Sequence, residues 1–169
     1  PIESNARNLE VNESRVSDFI RDFLTLKQKD IPNKGAVYEK FKERYPVPNS
    51  SELMGALDEL REFSNVYARL LNPDLEKDPV IRRELGYIRT LEVNVAFPFL
   101  MPVYRDFTAE TISRDVFVAV LRWVESYVWR RFILSLPTNA LNKIFMSLYD
   151  RVEPAEYLLS VERALMQRS

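Results

Sequence analysis

The sequence predicts an all-α fold, an irregular bundle of seven or eight helices around a long central apolar helix. Apolar residues recur at three- and four-residue spacing in almost every segment, which is the period of a helix buried on one face. Proline and asparagine separate segments of helical length from one another. Apolar residues make up 46% and charged residues 29% of the 169 residues, which is the balance of a folded globular protein.

Two helices are predicted before residue 46. In the first, apolar residues from Val16 to Leu24 fall at i, i+3, i+4, i+7 and i+8, and this stripe needs a partner that buries it. Pro32 stops the helix, and Asn33 can cap a short second helix. The apolar residues of the second helix are Val37, Tyr38, Phe41 and Tyr45.

The next three helices are predicted from the capping residues and prolines at their N-termini. Ser50 or Ser51 can cap a long helix. Asp78 and Pro79 form a good pair of N-cap and first helical residue for the following one. The stretch 93–107 is the least regular, and its two prolines favour a helix that begins near the first and kinks at the second.

The longest predicted segment opens at Thr111 or Ser113 and continues for about twenty residues, or ~30 Å as a helix. Its apolar residues cover most of its circumference, which is typical of a helix packed against several others. We therefore predict that it is the central helix. Thr138 can cap the next helix, and Pro154 begins the last one.

We expect a single helical domain over residues 1–169. Residues 1–49 would form the first helices and a stiff linker, Tyr45-Pro46-Val47-Pro48, and residues 50–169 the main bundle. The chain begins with Pro1 instead of methionine, so we expect a fragment of a larger protein. It shows no secretory signal and no apolar run near the ~20 residues that cross a bilayer. A cytoplasmic protein without membrane association is therefore predicted.

The absence of histidine and cysteine excludes many kinds of chemistry. Catalytic triads and dyads that need imidazole or thiolate, zinc fingers, iron–sulfur clusters and disulfides cannot form. The 3 glycines are far apart and make no phosphate-binding loop. We expect no cofactor, no metal and no catalytic residue in this chain. Because 24 basic residues are balanced by 25 acidic ones, tight nucleic-acid binding by the chain alone is not expected.

Polar residues are concentrated at the end of the central helix and at the start of the next. Long charged side chains on an apolar helix must reach solvent or find partners, because an unpaired buried charge is costly. A helix N-terminus also favours an anion. Two interpretations stay open: an anion or phosphate-backbone site, and an N-cap with a buried ion-pair network in which the glutamate is the acidic partner. The candidate residues are Glu125, Arg130, Arg131, Thr138, Asn139, Asn142 and Lys143.

Two motifs resemble the helical region of the GmrSD-type restriction endonucleases, which are bacterial anti-phage proteins. The first is Glu-Ser-Tyr-x-x-Arg-Arg at 125–131, followed by Pro-Thr-Asn-x-Leu-Asn-Lys-x-Phe at 137–145. The second is Ile-Arg-Asp-Phe-Leu-Thr-Leu-Lys at 20–27, followed by Ile-Pro-Asn-Lys at 31–34 and Tyr-Glu-Lys-Phe-Lys at 38–42. From the start of one motif to the end of the other they span residues 20–145, which is most of the chain.

The resemblance implies a scaffold and no chemistry in this chain. Members of that family carry an N-terminal ParB-like domain with an Asp-Gly-Gln-Gln-Arg signature and a C-terminal domain with a His-Asn-His nuclease motif, and neither motif occurs here. The chain would be the non-catalytic helical connector between these flanking domains, with a role in sensing DNA or the nucleotide state. DNA contact by the fragment alone would be weak. The alternative is a free-standing helical module that binds a partner protein.

Overall fold

The computed structural model describes the backbone of residues 2–46 and 50–167, and the side chains of residues 15–46 and 54–167. Within these ranges the fold is all-helical, with eight α-helices and no strand, which confirms the predicted fold class and helix number. The helices are α1 (Ile2–Gln28), α2 (Val37–Arg44), α3 (Ser50–Leu71), α4 (Pro79–Thr90), α5 (Phe97–Thr108), α6 (Arg114–Ile133), α7 (Asn139–Leu148) and α8 (Tyr157–Met166).

The chain divides into two compact units, Pro1–Arg61 and Glu62–Ser169. The division falls within α3, whereas the sequence predicted that the main bundle begins where this helix starts, at residue 50. Val47 and Pro48 of the predicted linker lie outside the described residues, as do the side chains of the two predicted serine caps of α3.

In the first unit, α1 packs against α2. Phe23 and Leu24 are fully buried, and the ring of Phe23 stacks on that of Tyr45 with the centroids 6.3 Å apart. Arg21 holds the turn after α1, because its Nε donates to the carbonyl oxygen of Pro32 at 2.8 Å. The predicted apolar stripe therefore finds its partner in the short helix that follows the proline stop.

Three expectations for the first unit were wrong. Val16 and Tyr38 were assigned to apolar stripes, but they are 62% and 68% exposed, because the periodicity of a helix does not say how wide a face its neighbours cover. Asn33 does not cap α2 with its side chain. A short 3-10 helix, Lys34–Ala36, separates Asn33 from α2.

The expected order of helix lengths also needs correction. α6 has the predicted twenty residues, but α1 and α3 are longer, with 27 and 22 residues. α1 extends back to Ile2 because residues 2–15 contain no proline or glycine that would end a helix. That α6 is the centre of the bundle stays a prediction.

In the second unit, α5 buries every residue from Phe97 to Tyr104. It begins next to Pro98, as predicted, because proline is tolerated in the first turn, where its missing N–H has no helical acceptor. α6 packs against α4, α5 and α8. The fully buried residues of α6 are Phe117, Val120, Leu121 and Val124.

One carboxylate joins the starts of α4 and α6. Oδ1 of Asp78 accepts the backbone N–H groups of Val80 and Ile81 at 2.8 and 3.1 Å, which confirms the predicted cap. Arg114 donates to the same carboxylate, from Nε at 2.5 Å and from Nη2 at 3.0 Å. The hydrogen bond from Arg114 and the two backbone donors lower the pKa of Asp78 to about 2. Ser113 caps α6 by accepting from the N–H of Val116 at 3.3 Å.

The chain between α5 and α6 is held by Asp106. The hydroxyl groups of Tyr149 and Tyr157 donate to Oδ2 of Asp106 at 2.9 and 2.7 Å, and the backbone oxygen of Asp106 accepts from the N–H of Thr111 at 2.9 Å. Burial and then the hydrogen bond to Asp106 raise the pKa of Tyr149 to about 12, and the same causes raise the pKa of Tyr157. These bonds connect α8 and the end of α7 to the chain segment that leads into α6.

Three helices end in the same type of turn. After α4, α5 and α6, a residue other than glycine takes the left-handed conformation, and the N–H of the residue after it donates to the carbonyl oxygen five residues back. The left-handed residues are Glu92, Glu110 and Ser135, with φ of 53°, 57° and 51°. Each of these turns ends its helix without the glycine that usually occupies the position.

Candidate functional site

The C-terminal turn of α6 exposes a group of apolar side chains, which we call the apolar cluster. Its members are Trp129, Phe132, Ile133 and Leu134, which are 48%, 68%, 62% and 67% exposed. The rings of Trp129 and Phe132 stack with the centroids 5.6 Å apart and an interplanar angle of 19°. Single exposed apolar residues are normal on a soluble protein, but adjacent ones mark an interaction surface.

A groove of about 490 Å³ lies beside the apolar cluster. Its walls come from α6, from the chain that follows α4 and from the start of α7. Apolar side chains form most of the lining, and a few polar groups are placed among them, which is the composition of a binding groove. The lining residues are Thr90, Leu91, Glu92, Val93, Val95, Val128, Trp129, Arg131, Phe132, Thr138, Asn139, Leu141 and Asn142.

Arg131 holds the wall of the groove at the end of α6. It is 8% exposed, its Nη2 donates to the carbonyl oxygen of Pro137 at 3.1 Å, and its Nη1 donates to the hydroxyl of Tyr127 at 3.4 Å. Pro137 lies in the turn that leads into α7. Arg131 therefore fixes the position of this turn while it also lines the groove.

Arg130 and Glu125 are not among the groove-lining residues. Nε of Arg130 donates to Oγ of Ser126 at 3.2 Å, and its guanidinium lies 5.8 Å from the ring centroid of Trp123. Glu125 is half-buried, and its pKa is raised by burial and then by the negative charge of Glu84.

Glu84 is the carboxylate of the ion-pair network that joins α4 to α6. It is 3% exposed, and it accepts from Nη2 of Arg83 at 2.7 Å and from Nη2 of Arg122 at 3.0 Å. Burial alone would raise the pKa of Glu84, but the two arginines together lower it. The arginines of this network are thus Arg83 and Arg122, which were not among the candidates from the sequence.

The start of α7 contributes three of the four candidate residues that line the groove. Thr138 occupies the N-cap position, as predicted, but its side chain makes no capping hydrogen bond. Its φ of −79° and ψ of −23° are helical, whereas a capping side chain needs an extended backbone. Asn139 and Asn142 are exposed and line the groove, and Lys143 is exposed outside the lining.

The structure thus brings together four of the seven candidates, Arg131, Thr138, Asn139 and Asn142. It also adds a wall, the chain from Thr90 to Val95, that the sequence did not associate with them. This wall comes from a distant part of the sequence and carries no motif. The apolar cluster did leave a signal, because the apolar pattern of α6 continues to its last residue, where a helix in contact with solvent is usually polar.

The apolar cluster lies in a stretch of sequence that carries basic but no acidic residues, although the whole chain is nearly neutral. The formal net charge of the protein is −1, but no acidic residue occurs from Ser126 to Tyr149, where Arg130, Arg131 and Lys143 are the charged residues. Glu92 supplies a negative charge on the far wall of the groove, and Glu125 lies one helical turn before Trp129. The stretch from Ser126 to Tyr149 is therefore basic, whereas the two charged residues that line the groove, Glu92 and Arg131, are of opposite sign.

Neither a metal centre nor a membrane span is found in the part of the chain that the structure describes. Among those residues, no group of three or more acidic side chains is arranged to hold a metal ion. None of the described helices combines the length and the hydropathy needed to cross a lipid bilayer.

Comparison with known proteins finds no match to a family model, to a curated protein or to a solved structure.

Proposed function

We propose that this chain is a non-catalytic helical scaffold domain of a GmrSD-like DNA restriction protein in phage defence, and that a flanking domain of the parent protein docks on the apolar cluster. The observation that carries the proposal is the exposure of four adjacent apolar residues beside the groove. Burying one such side chain completely contributes about 1.5–3 kcal/mol. A docked domain that covers the cluster would gain this stabilisation.

Two features of the second unit support a scaffold. Its polar clusters, around Asp78, Glu84 and Asp106, join helices to one another by hydrogen bonds between side chains. Arg131 is used to position the turn into α7. These polar groups stabilise the helix arrangement, so the fold itself accounts for them without a reaction.

The first test is the reading frame that surrounds this segment. The scaffold proposal expects an Asp-Gly-Gln-Gln-Arg signature upstream and a His-Asn-His nuclease motif downstream. A complete short reading frame without either motif would contradict it and would favour the free-standing interaction module, which the same apolar cluster supports.

The second test is binding between this chain and the flanking domains, produced separately and measured by calorimetry. Trp129→Ala with Phe132→Ala is expected to abolish binding, because it removes the stacked rings of the apolar cluster. Tyr87→Ala with Leu159→Ala is the matched control, since both residues are exposed apolar side chains of the second unit, on α4 and α8. Equal binding by the two double variants would overturn the proposed docking surface.

A role in sensing DNA belongs to the same proposal and has its own test. Arg130 and Lys143 are exposed, so they can contact phosphates. We expect weak duplex binding at low salt that Arg130→Ala with Lys143→Ala reduces, because phosphate contacts depend on charge and salt. The proposed role in sensing DNA would be contradicted if the native chain did not bind DNA at low salt, or if the double variant bound DNA as well as the native chain.

A further inference from the structure

We infer that the element that docks on the apolar cluster is a basic polypeptide segment, in which a lysine or arginine enters the groove beside a bulky apolar residue that covers Phe132. This inference rests on the proposed docking surface and names the chemistry of its partner. The aliphatic part of the basic side chain would lie against the apolar walls of the groove, and its charged end would pair with the carboxylate of Glu92.

The charge that the groove offers to an occupant is negative. Two charged residues line the groove, Glu92 and Arg131. Arg131 is 8% exposed, and its guanidinium already donates to the carbonyl oxygen of Pro137 and to the hydroxyl of Tyr127. Glu92 is exposed, and its side chain forms no hydrogen bond or ion pair with the part of the chain that the structure describes. Its carboxylate is therefore free to bind a cation of a partner.

The other cations of this region do not neutralise Glu92. Arg130 and Lys143 are not among the groove-lining residues. Arg89 precedes Glu92 by three residues and shares a neighbouring cleft with it, but no ion pair joins the two side chains in the described structure. Solvent and salt screen exposed charges that lie further away. A cation inside the groove would therefore meet an unpaired carboxylate.

The backbone fixes Glu92 at the far wall of the groove. Its φ of 53° is left-handed. The N–H of Glu92 donates to the carbonyl oxygen of Arg89 at 3.0 Å, and the N–H of Val93 donates to that of Ile88 at 3.3 Å. A residue that is already held in place loses little further backbone freedom when a partner binds, and such preorganisation favours binding.

The rest of the lining also fits a basic side chain. Lysine and arginine cover apolar surface with their aliphatic stems while their charged ends stay in water. Trp129 and Phe132 add aromatic rings to the lining, and the face of an aromatic ring attracts a cation. The amide oxygens of Asn139 and Asn142 can accept hydrogen bonds from an ammonium or guanidinium group. The aliphatic residues of the lining are Leu91, Val93, Val95, Val128 and Leu141.

The same features favour a protein over a nucleic acid as the occupant. The carboxylate of Glu92 would repel a phosphate group that entered the groove. Ile133 and Leu134, which are exposed beside the stacked rings, are aliphatic and offer no stacking surface for a base. Both residues gain from contact with apolar side chains of a protein.

The experiment is selection from a display library of random twelve-residue peptides on the complete chain. The enriched peptides are expected to carry a lysine or arginine beside a bulky apolar residue. They are expected to bind the Tyr87→Ala, Leu159→Ala variant and to lose binding to the Trp129→Ala, Phe132→Ala variant. Circular dichroism of both variants verifies that they are folded.

A synthetic copy of one enriched peptide then tests the pairing with Glu92. Glu92→Gln is expected to weaken its binding about fivefold at low salt, which corresponds to the ~1 kcal/mol of an exposed charge pair. This loss is expected to shrink at high salt. Glu110→Gln is the matched control and is expected to bind normally. Glu110 is also an exposed glutamate with a left-handed backbone, with φ of 57°, but it ends α5 and does not line the groove.

An exchange of charges tests the same contact in the opposite direction. Glu92→Lys is expected to lose the original peptide and to bind a copy in which glutamate replaces the basic residue of the peptide. Glu110→Lys is expected to keep the preference of the native chain for the original peptide. Binding that returns only with the reversed pair would assign the basic residue of the partner to Glu92.

Four results would overturn the inference. Enriched peptides that are acidic or neutral, or equal binding by Glu92→Gln and Glu110→Gln, would remove the basic partner. No enrichment would remove the occupied groove. Self-association of the native chain in sedimentation, abolished both by Glu92→Gln and by Trp129→Ala with Phe132→Ala, would assign the groove to a second copy of this chain.

The failure of this inference can be distinguished from the failure of the proposed function. If the flanking domains bind through Trp129 and Phe132 and Glu92→Gln does not weaken them, the inference fails and the proposed docking surface stands. If a basic peptide binds through Glu92 but the flanking domains do not bind, the proposed function fails and the inference stands.

Discussion

The two ends of α6 have similar apolar composition and opposite surroundings. At its N-terminal end, Ser113 caps the helix, Arg114 pairs with Asp78, and Phe117 is fully buried. At its C-terminal end, Trp129 and Phe132 are exposed to solvent. The difference shows that an apolar stripe identifies a surface that needs to be buried. The residues that bury it can belong to the same fold or to a partner protein.

The largest expected effect comes from removing one aromatic ring at each end of α6. Phe117 packs face to face on Phe107 with the centroids 4.8 Å apart, so Phe117→Ala is expected to lower the free energy of unfolding by about 3–5 kcal/mol. Phe132→Ala is expected to change it by no more than about 0.5 kcal/mol, because the ring is mostly exposed. Urea denaturation of both variants measures the contrast. Equal losses would mean that the two ends do not differ as described.

The next effect concerns Asp106, which holds the chain that leads into the N-terminal end of α6. Asp106→Asn replaces a charged acceptor of two tyrosine hydroxyls with a neutral one, so we expect a loss of about 1–3 kcal/mol in the free energy of unfolding. The pKa of Tyr149, raised to about 12 in the native protein, is expected to fall toward its ordinary value. Ultraviolet titration of tyrosinate measures this fall.

The same tyrosines predict how stability changes at alkaline pH. A raised pKa means that the folded protein holds the proton more tightly than the unfolded chain does. The contribution is complete below the ordinary tyrosine pKa of about 10 and is lost as the pH rises toward 12. Asp106→Asn should weaken this alkaline dependence. An unchanged tyrosine titration in that variant would contradict the assigned hydrogen bonds.

A smaller effect is expected from the ion pair at the start of α6. The pKa of Asp78 is lowered to about 2, so its contribution to stability is present above the unfolded pKa of about 3.9 and is lost as the pH falls toward 2. Arg114→Gln removes the main cause of the lowered pKa. The variant is expected to be less stable than the native protein at neutral pH. It is also expected to lose less of its free energy of unfolding when the pH is lowered.

Thermal unfolding at several pH values measures this difference. Arg151→Gln is the control, because Arg151 is exposed and lies outside the Asp78 pair. If Arg114→Gln keeps the native acid dependence, the pairing with Arg114 does not account for the titration of Asp78.

The smallest effect is expected at the turn that ends α6. Ser135 has a φ of 51°, a left-handed conformation that glycine adopts without steric cost. Ser135→Gly is expected to raise the free energy of unfolding by about 0.5 kcal/mol, because the relief of strain exceeds the entropy that glycine adds to the unfolded chain. Ser126→Gly, within α6, is the opposite control and should destabilise by a few tenths of a kcal/mol, because glycine is a poorer helix former than serine. Destabilisation by Ser135→Gly would contradict the described turn.

The local features of the fold could be predicted from the sequence. The caps at Asp78 and Ser113 and the helix start beside Pro98 depend on neighbours within a few residues, so the residue types alone indicate them. Thr138 shows the limit of this reasoning. Its position at the start of α7 was predicted, but the backbone there is helical, and the capping bond does not form.

The candidate site could be predicted only in part, because its geometry depends on distant segments. Arg131 and Asn139 lie close in sequence, and the structure places both in the groove. The opposite wall, with Leu91 and Val93, comes from the chain that follows α4. Glu125 lies in the same helix as Arg131 but faces Glu84 of another helix. The packing of α4 against α6 determines both the opposite wall of the groove and the surroundings of Glu125. Helix periodicity does not specify how two helices pack against each other.

The shared carboxylate of Asp78 has a consequence for local opening. Because one side chain caps α4 and also binds Arg114 at the start of α6, fraying of the first turn of α4 removes the acceptor of the arginine as well. Amide protons of Val80 and Val116 would therefore exchange with solvent as one cooperative unit, although they belong to different helices.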